Sequence, residues 1–272
     1  MSVSKMKSLI LLILALTAGF LLALVVPAKT LQQRQSRELH EKLEALFAQY
    51  EITLEGDSLP ESAALYTVEP ESGREQTAMK ALLGDAVRLA ESSTRYESRY
   101  VSEQGECVLS YDGRLDAVLV GAEAVRDPEA DVQKRLRGMM VQAAETEYEE
   151  QGETALVRIR QQLLGVPVLT EGLEFRYESG RLTAISGTAF FGTDTLIRTS
   201  EQTAISCADA LVRFLSCRDS LGWVGSRISG MEQGFLPVET ASSGIRFTPV
   251  WRIETDTGTF LVNGMSREVN PE

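Results

Sequence analysis

Asp256-Thr257-Gly258 spells the tripeptide with which an aspartic protease presents one of two carboxylates that share a proton. No second copy accompanies it. Gly192-Thr193-Asp194-Thr195 is a distant echo, and Asp256 itself lies between alternating apolar runs, where the tripeptide reads as a hairpin turn. His40 is the single histidine and stands among Glu38, Glu41 and Glu44, so it is expected as a solvated surface group. Ser226, Ser229 and Ser243 therefore lack a base, and none sits in a Gly-x-Ser-x-Gly elbow. Cys107, Cys207 and Cys217 contain no CxxC spacing and cannot build a disulfide framework. Cys107 alternates in phase with Leu109 and Tyr111, which makes it a small core residue. Metalloprotease, nucleotide-loop and dinucleotide signatures are absent. Glu149 and Glu150 form a carboxylate pair, but in an acidic stretch that reads as a solvated face. These residue types predict no catalytic, metal or cofactor site.

The elements that must position any other kind of site begin with the charge distribution. The chain has 272 residues, 43% hydrophobic and 24% charged, with 27 basic against 39 acidic residues for a net charge of −12. Lys5, Lys7 and Lys29 are the only charged residues among the first 29, so the remainder carries 24 basic and 39 acidic residues, or −15. An acidic body of that kind repels nucleic acid.

Residues 8–26, SLILLILALTAGFLLALVV, carry no charge. At 1.5 Å per residue these 19 residues extend about 28 Å, enough for a hydrocarbon core. The alternative is a cleaved signal peptide, for which Val26-Pro27-Ala28 offers a small-residue site, although its apolar region is normally shorter. The expectation is a single-pass anchor with residues 1–7 as a cytoplasmic head and the body outside the cytoplasm. Long domains cross largely regardless of charge, so Lys29, Arg34, Arg37 and Lys42 beyond the span do not prevent this. Ala15, Gly19 and Ala23 fall at i, i+4 and i+8, a small-residue face that lets a partner helix approach.

The body predicts an α+β fold of repeated helix plus antiparallel sheet units, divided as 27–125 and 126–272. Ser36 caps a helix with Leu39, Leu43, Leu46, Phe47 and Tyr50 on one face. A helix over 75–90 follows, interrupted by Gly84. Three alternating runs around Tyr96–Tyr100, Cys107–Tyr111 and Leu115–Leu119 turn at Gln104-Gly105 and Asp112-Gly113. Asp127-Pro128 starts a helix toward Tyr148, Ala155–Leu164 reads as another, and Thr199 with Gln202 boxes a third. Strands are expected at 173–177, 182–186 and 245–262, with Pro249 marking an edge or bulge. Gly113, Gly180 and Gly258 are 67 and 78 residues apart, each after a helix and inside a hairpin, which suggests two or three related units. Phe190 and Phe191 are strand neighbours that point to opposite faces, so one of them is expected to meet a domain interface or a partner.

The order of parts, closing on Pro249-Val250-Trp251-Arg252-Ile253-Glu254-Thr255-Asp256-Thr257-Gly258-Thr259-Phe260-Leu261-Val262-Asn263 and then Arg267-Glu268-Val269, resembles the YycH/YycI family of membrane-anchored regulators from Gram-positive bacteria. Length is similar to the YycI branch, and the closing segment resembles a PepSY-type module. The resemblance implies a non-enzymatic protein without cofactors, which adjusts a cell-wall-sensing two-component histidine kinase through transmembrane and ectodomain contacts. It implies as partners that kinase, a paralogous YycH-like regulator and the lipid bilayer. A peptide-binding or protease-inhibiting module of the PepSY kind is the alternative.

Overall fold

The computed structural model describes residues 36–71, 73–90, 94, 96–240 and 244–272. The head, the apolar span and its Ala15, Gly19 and Ala23 lie outside these residues. Among the described residues, no helix is long and apolar enough to cross a membrane.

Helix α1 covers 36–48, followed by the short strands β1 (Thr53–Leu54) and β2 (Val68–Pro70). A helix-then-meander pattern then occurs three times. The first is α2 (Glu75–Leu83) with β3 (Arg88–Leu89), β4 (Glu97–Ser102), β5 (Gly105–Ser110) and β6 (Arg114–Leu119). The second is α3 (Pro128–Met139) with β7 (Ala143–Gln151), β8 (Thr154–Leu163), β9 (Val166–Pro167), β10 (Leu173–Glu178) and β11 (Arg181–Thr188). After β12 (Leu196–Arg198) comes the third, α4 (Cys207–Ser216) and α5 (Arg218–Leu221) with β13 (Arg227–Glu239), β14 (Ile245–Thr255), β15 (Gly258–Asn263) and β16 (Val269–Pro271).

The first two meanders fuse into one nine-stranded sheet. Its order is β3-β4-β5-β6-β11-β10-β8-β7, with β9 beside β8, and the last strands of the two units, β6 and β11, pair antiparallel. Helices α2 and α3 cover one face, where Met79, Leu82, Leu136 and Met139 pack with Leu115, Val157, Phe175 and Tyr177. The third unit forms a seven-stranded sheet, β1-β13-β14-β15-β16, with β2 on β14 and β12 on β2. Phe47 of α1 and Leu211 and Phe214 of α4 pack there with Trp251, Ile253 and Val262. The expected α+β class with helix-plus-sheet units is therefore what the chain adopts. The boundary at 125/126 falls within the nine-stranded sheet, because β6 on one side hydrogen-bonds β11 on the other.

Several local expectations are corrected. The helix expected over 75–90 stops at Leu83, since Gly84 adopts φ 84° and caps onto the Lys80 carbonyl. Asp127 does cap α3, its Oδ1 accepting from Ala130 N at 2.9 Å. But α3 ends at Met139, because Met140 turns left-handed at φ 58° and donates to the Arg137 and Leu136 carbonyls. Residues 143–151 and 154–163 are strands, not helices. In β8 the buried positions alternate as Ala155, Val157, Ile159, Gln161 and Leu163. The cap of α4 is Ser206, boxed with Asp209, in place of Thr199 and Gln202. Pro249 lies inside β14 with β13 alongside. Its carbonyl accepts from Gly264 N, so its missing N–H faces the gap between the end of β15 and the start of β2, and the β13 ladder loses nothing. His40 is buried at 5% while Leu39 is 43% exposed, because α1 turns residues 40, 43 and 47 inward.

Candidate functional site

Ser243 lies outside the described residues, and several of the other residues that the sequence singles out for chemistry are engaged in structure. Asp256 closes the β14–β15 turn and accepts from Ser226 N at 3.0 Å and Ser226 Oγ at 3.2 Å, and these donors hold its carboxyl below the ordinary carboxylate range. Asp194 instead faces the Arg74 guanidinium, so the two carboxylates have different neighbours. Burial pushes the Cys107 and Cys207 thiols up to about 12, so both stay protonated at neutral pH and neither is a nucleophile. Glu149 pairs with Arg158 at 3.0 Å, and Glu150 accepts from the Tyr148 hydroxyl at 3.0 Å.

Phe190 and Phe191, expected as strand neighbours, lie beyond the end of β11, and their rings enter different clusters. Phe191 enters the core of the nine-stranded sheet. Phe190 enters a separate cluster with Leu163, Val168, Phe235 and Phe247, meeting Phe247 edge-to-face at 5.0 Å. That cluster joins the two sheets. Both rings are more than nine-tenths buried, so neither presents a surface. Gln161 fixes this junction: its Nε2 donates to the Phe190 carbonyl at 2.8 Å, and its Oε1 accepts from Phe190 N at 3.0 Å.

What the fold leaves open is the other face of the nine-stranded sheet. Its helices lie on one side, as antiparallel sheets allow. On the opposite side, cross-strand register aligns Glu147, Arg158, Glu174, Ser186, Asp116, Val108 and Arg99 in one row over seven strands. Six strand spacings give that row a width of about 29 Å. Arg158 bridges Glu149 and Glu174, both at 3.0 Å, and Arg160 reaches Glu145 at 3.7 Å and Glu232 of the second sheet. A shallow cleft of about 530 Å3 opens over β6, β10 and β11, walled by Arg114, Asp116, Arg158, Glu171, Glu174 and Ser186.

Strand β7 borders this face. It pairs with β8 alone, and among the described residues nothing hydrogen-bonds its outer backbone. Residues 144–151 are all exposed. Glu145, Glu147 and Glu149 point to the open face, Thr146, Tyr148 and Glu150 to the other, and the strand has no basic residue. Reading 143–148 as a helix end missed this feature. The alternation of glutamates with Thr146 and Tyr148 is the period-two pattern that would have revealed it.

No known protein family matches the chain, and no curated protein matches it. Two of the solved structures similar to it show the range of the likeness. An uncharacterized protein from Eubacterium rectale is 10% identical with a TM-score of 0.50, over 77% of this chain and 86% of that one. The likeness is one of fold. The C-terminal domain of Bacillus megaterium YpeB is 11% identical over 75% of this chain and 98% of that one, and its TM-score of 0.33 adds nothing to that.

Proposed function

We propose that the chain is a non-catalytic regulator, tethered by residues 8–26 with its folded body outside the cytoplasm, that acts by binding another membrane protein. The observation that carries the reading is the nine-stranded sheet with helices on one face, whose second face and β7 edge are uncovered among the described residues. The resemblance of the part order and the closing segment makes a cell-envelope two-component sensor kinase the partner of choice, together with a YycH-like paralogue. Ala15, Gly19 and Ala23 supply the contact within the bilayer. Regulation requires that these contacts favour one kinase state, since equal binding to both shifts nothing.

The test is crosslinking and co-purification of the full chain from membranes, with kinase output measured in parallel. Gly19→Leu is expected to weaken co-purification and change output while tryptophan fluorescence of the body stays native. Unchanged capture and unchanged output would overturn the reading, as would turnover of a substrate by the purified chain. The free β7 edge also supports the second reading, an extracytoplasmic PepSY-like peptide-binding module, which differs in needing no kinase.

A further inference from the structure

We infer that β7 is a docking edge for an extended segment of a protein partner in which basic residues alternate with small or β-branched ones. The segment adds as a further strand to the nine-stranded sheet. The inference rests on the reading of the body as a binding module and names the element and the chemistry it recognises.

Two observations carry it. Among the described residues, one outer row of N–H and C=O groups on β7 is unpaired, over a strand of nine residues. At about 3.4 Å per residue this offers roughly 30 Å of ladder to an incoming strand. The other is charge register. Glu145, Glu147 and Glu149 share one face of β7, and the strand already paired with β7 answers them with Arg158 and Arg160 at alternate positions. A strand added on the outer side meets the same glutamates from the opposite edge. Basic side chains at alternate positions are therefore its complement, with Thr146 and Tyr148 on the reverse face calling for uncharged partners.

Glutamates also protect an edge from pairing with its own kind, and that determines what is not the occupant. Two copies of β7 in one continuous sheet set Glu145, Glu147 and Glu149 against the same residues, and like charges directly opposite are unfavourable. The edge thus refuses a second copy and accepts a basic strand.

The experiment uses the full chain in detergent micelles and a fluorescent peptide, as long as β7, that alternates lysine with threonine. A peptide of identical composition with its lysines in one block, and one with glutamate for lysine, serve as controls. The alternating peptide is expected to bind, to weaken as salt rises, and to slow amide exchange at residues 145–151. Glu147→Lys, which replaces one favourable pair by a repulsive one, should weaken binding about fivefold. Successive N–H groups on a strand face opposite sides, so of Thr146→Pro and Glu147→Pro one removes an outward donor and should abolish capture with a near-native urea midpoint. The inference falls if the peptide does not bind, if the block peptide binds equally, if protection appears away from 145–151, or if the chain self-associates through β7. Co-purification of a membrane partner that persists through such a failure leaves the tethered-regulator reading standing.

Discussion

Asp256 is held by Ser226 from both its backbone and its hydroxyl, and hydrogen bonds to the charged form are what lower a carboxyl's pKa. A depressed folded value means that the contribution to stability is present above the unfolded value, 3.8, and is lost as pH falls through the folded one. Asp256→Asn removes that pH-dependent part. The gap in urea midpoint between wild type and the variant is therefore expected to be widest at neutral pH and to narrow as the pH falls below 3.8 and through the depressed folded value. A gap that stays constant from pH 7 to pH 3 would show that the carboxylate contributes nothing through its charge. The same scale shows how far local reading reaches. That chain neighbours such as Phe190 and Phe191 point different ways follows from local chain geometry, although both lie beyond the end of β11. That Phe190 lands on Phe235 and Phe247 does not, since those partners come from a strand pair that begins 37 residues later.

At the scale of elements, the first hairpins were legible and β8 was not, and three residues explain the difference. In β4 to β6 and in β10 the residues alternating toward the buried face are apolar or small, and turns such as Asp112-Gly113 and Ser179-Gly180 punctuate the hairpins, whereas β11 buries Leu182 and Ile185 across a bulge in place of the expected run Leu182, Ala184 and Ser186. Gly113 has φ 89°, and a Cβ there would stand 2.4 Å from the Phe190 ring, so the turn demands glycine twice over. In β8 the buried alternation includes Gln161, while Leu156 and the exposed Leu164 supply apolar residues off the face, and the sum imitates a helical period. The glutamine is inside because Phe190 lies beyond the end of β11 and needs partners for its N–H and carbonyl. Gln161→Leu fills the space without those bonds and strands two buried backbone groups. It is expected to cost roughly 2–4 kcal/mol by urea unfolding. A loss below about 0.5 kcal/mol, the level of an ordinary surface change, would mean that the amide is not needed there.

At the scale of the whole molecule, the chain is discontinuous in space. Strands β1 and β2 with β12 to β16 build the seven-stranded sheet, and the nine-stranded sheet of β3 to β11 is inserted between them in sequence. A boundary read along the sequence at 125/126 had no means of finding this, because both halves show the same helix-then-hairpin grammar. The halves are bound by a shared cluster, by the Val168–Phe235 bridge with Leu169 N donating to Phe235 O at 2.8 Å, and by the Arg160–Glu232 pair. Within the seven-stranded body, Gln233 also takes a two-point grip on Ala63, accepting at 2.7 Å and donating at 3.1 Å. With a junction this continuous, loss of one half uncovers the apolar surface of the other, and the chain should unfold as one unit. Both tryptophans, Trp223 and Trp251, lie in the seven-stranded body, whereas most strand signal in far-UV circular dichroism comes from both sheets. The fluorescence and dichroism transitions are therefore expected to coincide. Gly234→Leu tests the cause, because a Cβ at 234 sits 2.8 Å from Leu169 Cγ and 2.9 Å from the Pro167 carbonyl, at the point where the sheets meet. Overpacking there should cost about 1–3 kcal/mol and pull the two transitions apart. Separate transitions in the wild-type chain would instead show two bodies that share a boundary without sharing stability, so that a change at the β7 edge would have no rigid path to α1 at the far end of the described chain.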